Sequence, residues 1–235
     1  MTKFFKNLFR LMLINTPWFI ILNYIKNFLP NYKSKNKSKI IEDQIYKNFS
    51  SVNRNHKWFC NNLNFLCNTF KDVIGVKDIL EIGSYEGRSA IFFLYNFIDS
   101  NIHCLDTWSG SDEHNNFDFS SIEKNFDFNT SAFQLNNHLK KFKMTSNEFF
   151  VSNSKKYDLI FVDGDHSSNQ VKIDINNSWK ILNKGGYLIL DDYMWWFYKN
   201  LKKNPSTPIN EFIINNIDEI SYLKVWHQVI IKKNI

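Results

Sequence analysis

The chain has 235 residues, 43% of them hydrophobic, and 29 Lys and Arg against 23 Asp and Glu give a formal net charge of +6. That length suits one well-buried α/β domain with an appendage and is short for two full domains. The lysines read as scattered through a chain rich in Asn, Ile and Phe, so no nucleic-acid partner is expected, and Cys60, Cys67 and Cys104, with no C-x-x-C pair, exclude a disulfide framework and point to a reducing, cytoplasmic compartment.

Residues 1–40 read as a helical, basic extension. Lys3, Lys6 and Arg10 precede an apolar stretch over residues 11–22 that Asn15, Thr16 and Pro17 interrupt. A membrane span needs about twenty mostly apolar residues, so this run is too broken to be one, and no small-residue cleavage site follows it. With Phe4, Phe5, Phe9, Trp18 and Phe19 interspersed, two readings stand open. The segment could lie in a membrane interface, or it could dock on the domain or on a second subunit of a homodimer. Pro30 should end it, and residues 33–39 read as a polar, self-repelling linker.

Residues 41–235 read as the domain proper. Ile41, Ile45, Phe49, Phe59, Leu63, Leu66 and Phe70 fall mostly at helical spacing, predicting one or two helices that cover a sheet, with His56 and Trp58 structural. The first strand is DILEIG, residues 78–83, turning through Ser84, Tyr85, Glu86 and Gly87 into a helix near Arg88. This turn lacks the middle glycine of a dinucleotide fingerprint, so a ligand without phosphates fits better. The second strand ends in Asp106, about twenty residues beyond the turn, where an acid can accept hydrogen bonds from two ribose hydroxyls. Residues 108–121 form a polar loop, a candidate substrate lid. A broken helix over 122–141 and a short third strand at 142–144 lead to Thr145, Ser146 and Asn147, beside the place for an adenine.

Two apolar runs that end in acids dominate the second half. Leu159–Val162 and Tyr187–Leu190 read as strands buried on both faces, joined by a helix over 168–181 with Val171, Ile175 and Trp179 on one face. A right-handed βαβ unit brings Asp163, Asp191 and Asp192 out at one carboxyl edge, where their charges repel unless a cation sits among them or they cap helix ends. Residues 193–198 form an aromatic cluster suited to core, dimer contact or pocket wall. A helix over 209–217 and two strands over 220–233 complete the chain, with Val229, Ile230 and Ile231 at the sheet centre.

The motifs EIGSYEGRS, LDTW, FVDGDHS and LNKGGYLILDDY resemble those of the class I S-adenosylmethionine-dependent methyltransferases, in the metal-assisted, macrocin O-methyltransferase-like branch. The resemblance covers residues 41–235. It implies a Rossmann-like, doubly wound, mostly parallel seven-stranded sheet with an antiparallel C-terminal strand, preceded here by the helical extension. It further implies S-adenosylmethionine as cofactor, held by Glu81, Gly83, Ser84, Tyr85, Gly87, Asp106, Ser146 and Asp163. A divalent cation, Mg²⁺, would sit on Asp163, Asp191 and Asp192, where relatives often carry Asn at the last position. His166 would act as general base beside Asp163, with the hydroxyl of a small molecule or sugar as acceptor. A nicotinamide-dependent oxidoreductase and a non-catalytic membrane-associated binding module are the rival readings. The missing glycine and the acids at 191 and 192 count against the first, and intact cofactor positions against the second.

Overall fold

The computed structural model describes residues 2–33, 35–52, 58–111 and 118–234. Seven strands form one sheet: β1 (Asp78–Ile82), β2 (Asn101–Asp106), β3 (Leu139–Lys143), β4 (Tyr157–Val162), β5 (Leu182–Leu190), β6 (Ile220–Val225) and β7 (Val229–Lys233), in the spatial order β3-β2-β1-β4-β5-β7-β6. The pairs from β3 across to β5 are parallel, and β7 runs antiparallel to both its neighbours. This is the doubly wound, Rossmann-like sheet the sequence implies. The order reverses between β1 and β4, the topological switch point at which open α/β sheets bind ligands.

The central strands are apolar because they are covered on both sides. Leu159, Ile160 and Phe161 of β4 are completely buried. On one side Phe59, Phe92, Phe93 and Phe161 pack edge to face, with ring centroids 5.4–6.3 Å apart. This is the arrangement aromatic quadrupoles favour. Helices α5 (Arg88–Asn96) and α8 (Ser168–Ile181) follow β1 and β4, and α8 buries Val171, Ile175 and Trp179 as its spacing predicts. Helices α3 (Lys35–Ile45), α4 (Leu63–Phe70), α6 (Phe119–Leu135), α7 (Ser146–Ser152) and α9 (Ser206–Asn215) complete the layers.

Several boundaries differ from expectation. The third strand starts at Leu139 rather than 142, because α6 stops at Leu135 and the chain turns at Asn137, whose φ is 60°. β5 starts at Leu182, five residues before the apolar run, since its first half pairs past an irregularity at β4. β7 lies between β5 and β6, one strand in from the edge, not at the sheet centre. Residues 35–39, expected in a linker, instead form the start of α3. Pro30 sits inside α2 (Trp18–Lys33) without ending it. Only the bond to the Lys26 carbonyl is lost to a proline there, and Asn31 and Asn27 donate side-chain hydrogen bonds to the carbonyls of Asn27 and Asn23 along the same turns. His56 lies outside the described residues.

The first two helices, α1 (Thr2–Leu13) and α2, are built onto the far edge of the sheet. Leu11, Ile20, Ile21 and Tyr24 are buried, and Tyr24 stacks on Trp226 with ring centroids 5.9 Å apart. An edge strand exposes unpaired amides and carbonyls, and here Asn23 covers them: its Nδ2 donates to the Leu223 carbonyl at 3.0 Å and its Oδ1 accepts from the Val225 amide at 2.8 Å. Asn210 of α9 donates to Thr16 Oγ1 at 2.9 Å. Replacing one side chain of such a part-buried pair leaves its backbone partners unsatisfied. We expect Asn23→Ala to lower the unfolding free energy by about 1–3 kcal/mol, measured as a shift in denaturation midpoint at constant slope. An unchanged midpoint would show that the edge of β6 is satisfied by water instead.

Candidate active site

Parallel pairing puts one row of residues in line at the carboxyl edge of the sheet. Ile82 pairs with Leu105 and with Val162, and Val162 pairs with Leu190. The next residue on each strand, or its last, is therefore Gly83, Asp106, Asp163 and Asp191. The ladder continues through this row. Gly83 N–H donates to the Leu105 carbonyl at 2.8 Å, Asp163 N–H to Ile82 at 2.8 Å, and Asp191 N–H to Val162 at 3.0 Å. Functional side chains on strand ends are thus held by sheet hydrogen bonds rather than by loops.

These residues border a cleft of about 910 Å³, within the range of small-molecule sites. Gly83, Ser84, Tyr85, Asp106 and Ser146 line it on the β1–β2 side, and Asp163, His166, Asp191, Asp192 and Trp195 on the other. Gly83 has φ +90°, and a Cβ there would lie 1.9 Å from the Asp163 carbonyl oxygen, so no other residue fits. Gly87, also at positive φ, opens α5.

Three non-glycine residues at strand ends are left-handed: Tyr85 (φ 46°), Trp108 (φ 47°) and Asp192 (φ 54°). Each such residue costs about 1–3 kcal/mol unless its surroundings enforce it. For the first two the enforcing group is Asp106, whose Oδ2 accepts the Tyr85 amide at 2.8 Å and whose Oδ1 accepts the Trp108 amide at 2.7 Å. The Trp108 indole then donates to the Tyr85 carbonyl at 2.8 Å, and Lys141 Nζ lies 4.5 Å from its ring centre. Trp108, expected in a candidate substrate lid, is instead a buried clamp. The expected lid residues 112–117 lie outside the described residues, and residues 119–121 belong to α6.

Electrostatically the cleft floor is acidic and short of partners. Glu81 is completely buried, neither of its carboxylate oxygens nor the Ser84 hydroxyl makes a hydrogen bond of full geometry, and Glu81 does not border the cleft itself. Burial pushes its pKa up to about 7, with the Ser84, Ser89 and Cys104 side chains holding the rise back and Asp163 adding to it. Asp106 is raised by burial against the pull of its amide donors. Asp191 is raised well above the carboxylate range by burial, then by the charges of Asp163 and Asp192. Its Oδ2 accepts from Gln228 at 2.8 Å and its Oδ1 from the Asp192 amide at 2.7 Å.

His166 Nε2 lies 2.9 Å from Asp192 Oδ2 and 3.4 Å from Asp163 Oδ1. Single donor atoms of Asp163, His166 and Asp192 come within 4.8 Å of one another. The structure therefore gathers His166 with Asp163 and Asp192, while Asp191 is turned toward Gln228. The aromatic cluster divides: Tyr193 is buried and donates to Asn210, Met194 and Trp195 border the cleft, the Trp195 ring lies 5.1 Å from that of His166, and Phe197 is exposed. At the far end, Ser146 opens α7 behind a capping box of Thr145 and Glu148, and Gln170 donates to its hydroxyl.

Trp58, Gln228, Trp226 and His227 were not singled out for the cleft from sequence. Trp58 packs on Tyr85 at 5.9 Å and lines the cleft with Trp226 and His227. Trp58 comes from the turn just before the short 3-10 helix at Phe59–Asn62 and the other three from the last hairpin, all remote in sequence from any motif.

Residues 80–193, the stretch from β1 through the Asp191–Asp192 pair, match the family model described as a methyltransferase domain. The uncharacterized protein R132 of Acanthamoeba polyphaga mimivirus is 31% identical over 133 residues, 54% of this chain and 56% of that one. The chain thus spans about half the length of the curated relative it matches. Among solved structures, a Staphylococcus aureus protein assigned as a caffeoyl-CoA O-methyltransferase superposes with a TM-score of 0.56 at 16% identity, over 93% of this chain and 98% of its own. The MycE methyltransferase of the mycinamycin biosynthetic pathway, solved with Mg and SAH, gives 0.54 at 16% identity, over 84% and 54%. The SAH-bound Podospora anserina methyltransferase PaMTH1 gives 0.52 at 14%, over 85% and 96%. The chain shares the Rossmann-like fold of these methyltransferases.

Two measurements check this geometry. Gly83→Ala must push β1 and β4 apart, so its thermal midpoint should fall by several degrees and ligand binding should be lost, read by calorimetry. For Glu81 the sign follows from a folded pKa near 7 against 4.5 for an ordinary glutamate. The folded state holds the proton more tightly, so this group's contribution is full below pH 4.5 and is lost as pH rises toward 7. The loss is about 3 kcal/mol. Glu81→Gln should remove that slope and raise the midpoint at pH 8; an unaltered pH profile would place the proton elsewhere.

Proposed function

We propose that the protein is an S-adenosylmethionine-dependent methyltransferase that methylates a hydroxyl of a small molecule or sugar, assisted by a divalent cation. The observation that carries the reading is the row of Gly83, Asp106, Asp163 and Asp191, which combines a glycine turn closed on the next strand with a ribose-height acid and an acidic far side. The cofactor fits this chain on three counts. Gly83, with no Cβ to hold β1 off the Asp163 carbonyl, keeps the backbone of the turn at the cleft, Asp106 keeps lone pairs free for two hydroxyls, and the buried Ser84 and Glu81 oxygens, which lack hydrogen bonds of full geometry, lie behind the turn, favouring a cationic ammonium group nearby. Gly87, Tyr85 and Ser146 shape the same wall, with Ser146 toward an adenine. S-adenosylmethionine, when bound, supplies a methyl group activated by its sulfonium.

The donor set also fits a hard cation: carboxylate oxygens of Asp163 and Asp192 beside the His166 imidazole, with Asp191 adding charge behind them. Mg²⁺ held there would lower the pKa of an acceptor hydroxyl and offset the mutual repulsion of the acids. The chain's own part in the chemistry is positioning and proton removal. Strand ends fixed by the sheet hold the reacting groups in line, a gain of the proximity type. His166, oriented by Asp192 through Nε2 and flanked by Trp195, takes the hydroxyl proton at Nδ1. Trp195 and Met194 form an apolar wall for the acceptor and keep water away from it.

The division at residue 40 is part of the proposal: residues 41–235 carry the chemistry and residues 1–40 complete the cleft wall. In calorimetry the protein should bind S-adenosylhomocysteine and not NAD. Asp106→Ala should weaken that binding by about 1.5–3 kcal/mol, as for lost charge-assisted hydrogen bonds. Tight NAD binding with no response to the thioether would instead make the protein an oxidoreductase. His166→Ala should cut turnover about 10²- to 10⁴-fold with cofactor affinity kept. EDTA should abolish activity and Mg²⁺ restore it. Full activity in chelator would leave proximity and His166 acting without a metal.

A further inference from the structure

We infer that α1 and α2 hold the protein on an anionic lipid surface. Residues 1–41 contain eight of the 29 Lys and Arg and none of the 23 Asp and Glu, so the remaining chain carries 21 basic against 23 acidic residues, a net of −2. The positive charge is therefore not scattered, as the sequence first suggests, but gathered on the first helices, and the protein as a whole is basic only because of them.

The structure divides α1 into three lengthwise faces. Asn7 and Leu11 are buried, and Phe4 and Leu8 pack against the core. Phe5, Phe9, Met12 and Leu13, at spacings of four, three and one, point the other way and are 50–61% exposed. Lys3, Lys6 and Arg10, at spacings of three and four, run between these faces. A surface helix of a water-soluble protein puts charge opposite its core face; this one puts aromatic and aliphatic side chains there and charge on the flank. α2 repeats the pattern. Its core face carries Ile20, Ile21 and Tyr24, while Trp18, Phe19, Leu22 and Ile25 are 38–66% exposed, with Lys26 beside them.

Eight large apolar side chains on two consecutive helices exceed the isolated exposed residues of an ordinary surface. Large apolar groups flanked by cations, without one acid to repel lipid phosphates, complement an anionic headgroup layer with hydrocarbon just beneath it. Among the described residues no helix is long and apolar enough to cross a membrane, so the helices would lie in the interface. Their orientation is fixed, because the opposite faces are locked to β6 through Asn23 and to Trp226 through Tyr24. Lys3 and Asn31 of the same helices line the cleft, so a lipid surface would lie beside the cleft rather than across the molecule from it.

The test is flotation of the full chain with vesicles of phosphatidylcholine alone and of phosphatidylcholine with about a third phosphatidylserine, at low and high salt. Binding is expected on the anionic vesicles, weaker on the neutral ones and weakened by salt. The double variant Phe9→Glu and Trp18→Glu, at exposed positions away from the cleft, should reduce vesicle binding about tenfold or more while leaving the thermal midpoint and S-adenosylhomocysteine affinity unchanged. Because vesicle binding is read without activity, it stands or falls apart from the proposed reaction. Absence of binding to anionic vesicles at low salt overturns the inference, as does binding that the double variant retains. A dimer in sedimentation that the same variant dissolves, with no vesicle binding, would assign the surface to a second copy of the chain and also overturn it.

Discussion

The cleft depends on how closely the carboxyl ends of β1 and β4 approach one another. That distance is set by the contact between Gly83 and the Asp163 carbonyl, where even a methyl group would overlap backbone. Neighbouring parallel strands are always close, but their ends usually diverge into loops. Here the ladder carries on for one more residue at Gly83, Asp163 and Asp191, so the chain leaves the sheet late and sharply. The sharp exits explain the left-handed residues that follow. Tyr85, Trp108 and Asp192 each lie one or two residues past a strand-end position in the same row.

The row also dictates the electrostatics. Parallel register places Asp106, Asp163 and Asp191 at one level, and Glu81 lies inside the sheet one step behind Ile82. The protein treats these acids differently. Asp106 is given two amide donors, Asp191 a glutamine and an amide, and Asp163 and Asp192 an imidazole. Glu81 is given no hydrogen bond of full geometry. Burial with incomplete compensation raises a carboxylate pKa, which accounts for the directions at Glu81, Asp106 and Asp191. A fold selected only for stability would place apolar residues at such positions; strain and uncompensated charge concentrated in one cleft are marks of a site kept for binding.

Legibility in the sequence followed from how local each determinant is. Strands β4 and β5 were readable because continuous apolar runs end in acids, and β1 because it runs into a glycine turn whose positive φ leaves a compositional trace. The pairing of β4 with β5 followed from βαβ handedness. The residues that Asp191 and His166 meet were not readable. Gln228 reaches Asp191 from the β6–β7 hairpin, and Trp226, in the same hairpin and stacked on Tyr24 of α2, borders the cleft. No spacing rule connects positions 24, 191 and 228, and nothing in a one-dimensional pattern shows that Asp191 turns away from His166 while Asp192, lifted into a left-handed conformation, turns toward it. The extent of β3 was missed for a different reason: LKKFK has too little apolar character to register as a strand, being an edge strand that needs only one side buried.

The N-terminal helices connect the two ends of this reasoning. Their inner faces serve the sheet in the usual way, covering an edge that would otherwise offer free amides and carbonyls. That task needs one apolar stripe per helix, and Leu11, Ile20, Ile21 and Tyr24 provide it. Nothing about protecting β6 calls for a second stripe. Since exposed aromatic side chains gain nothing in the folded monomer and promote association, the outer stripe has to be explained by something outside the chain. The absence of acids before Glu42 narrows what that is: a generic protein partner places no bar on negative charge, whereas a surface of lipid phosphates does. The same two helices thus close the sheet on one side and present an apolar, basic surface on the other, with Lys3 and Asn31 at the cleft between them.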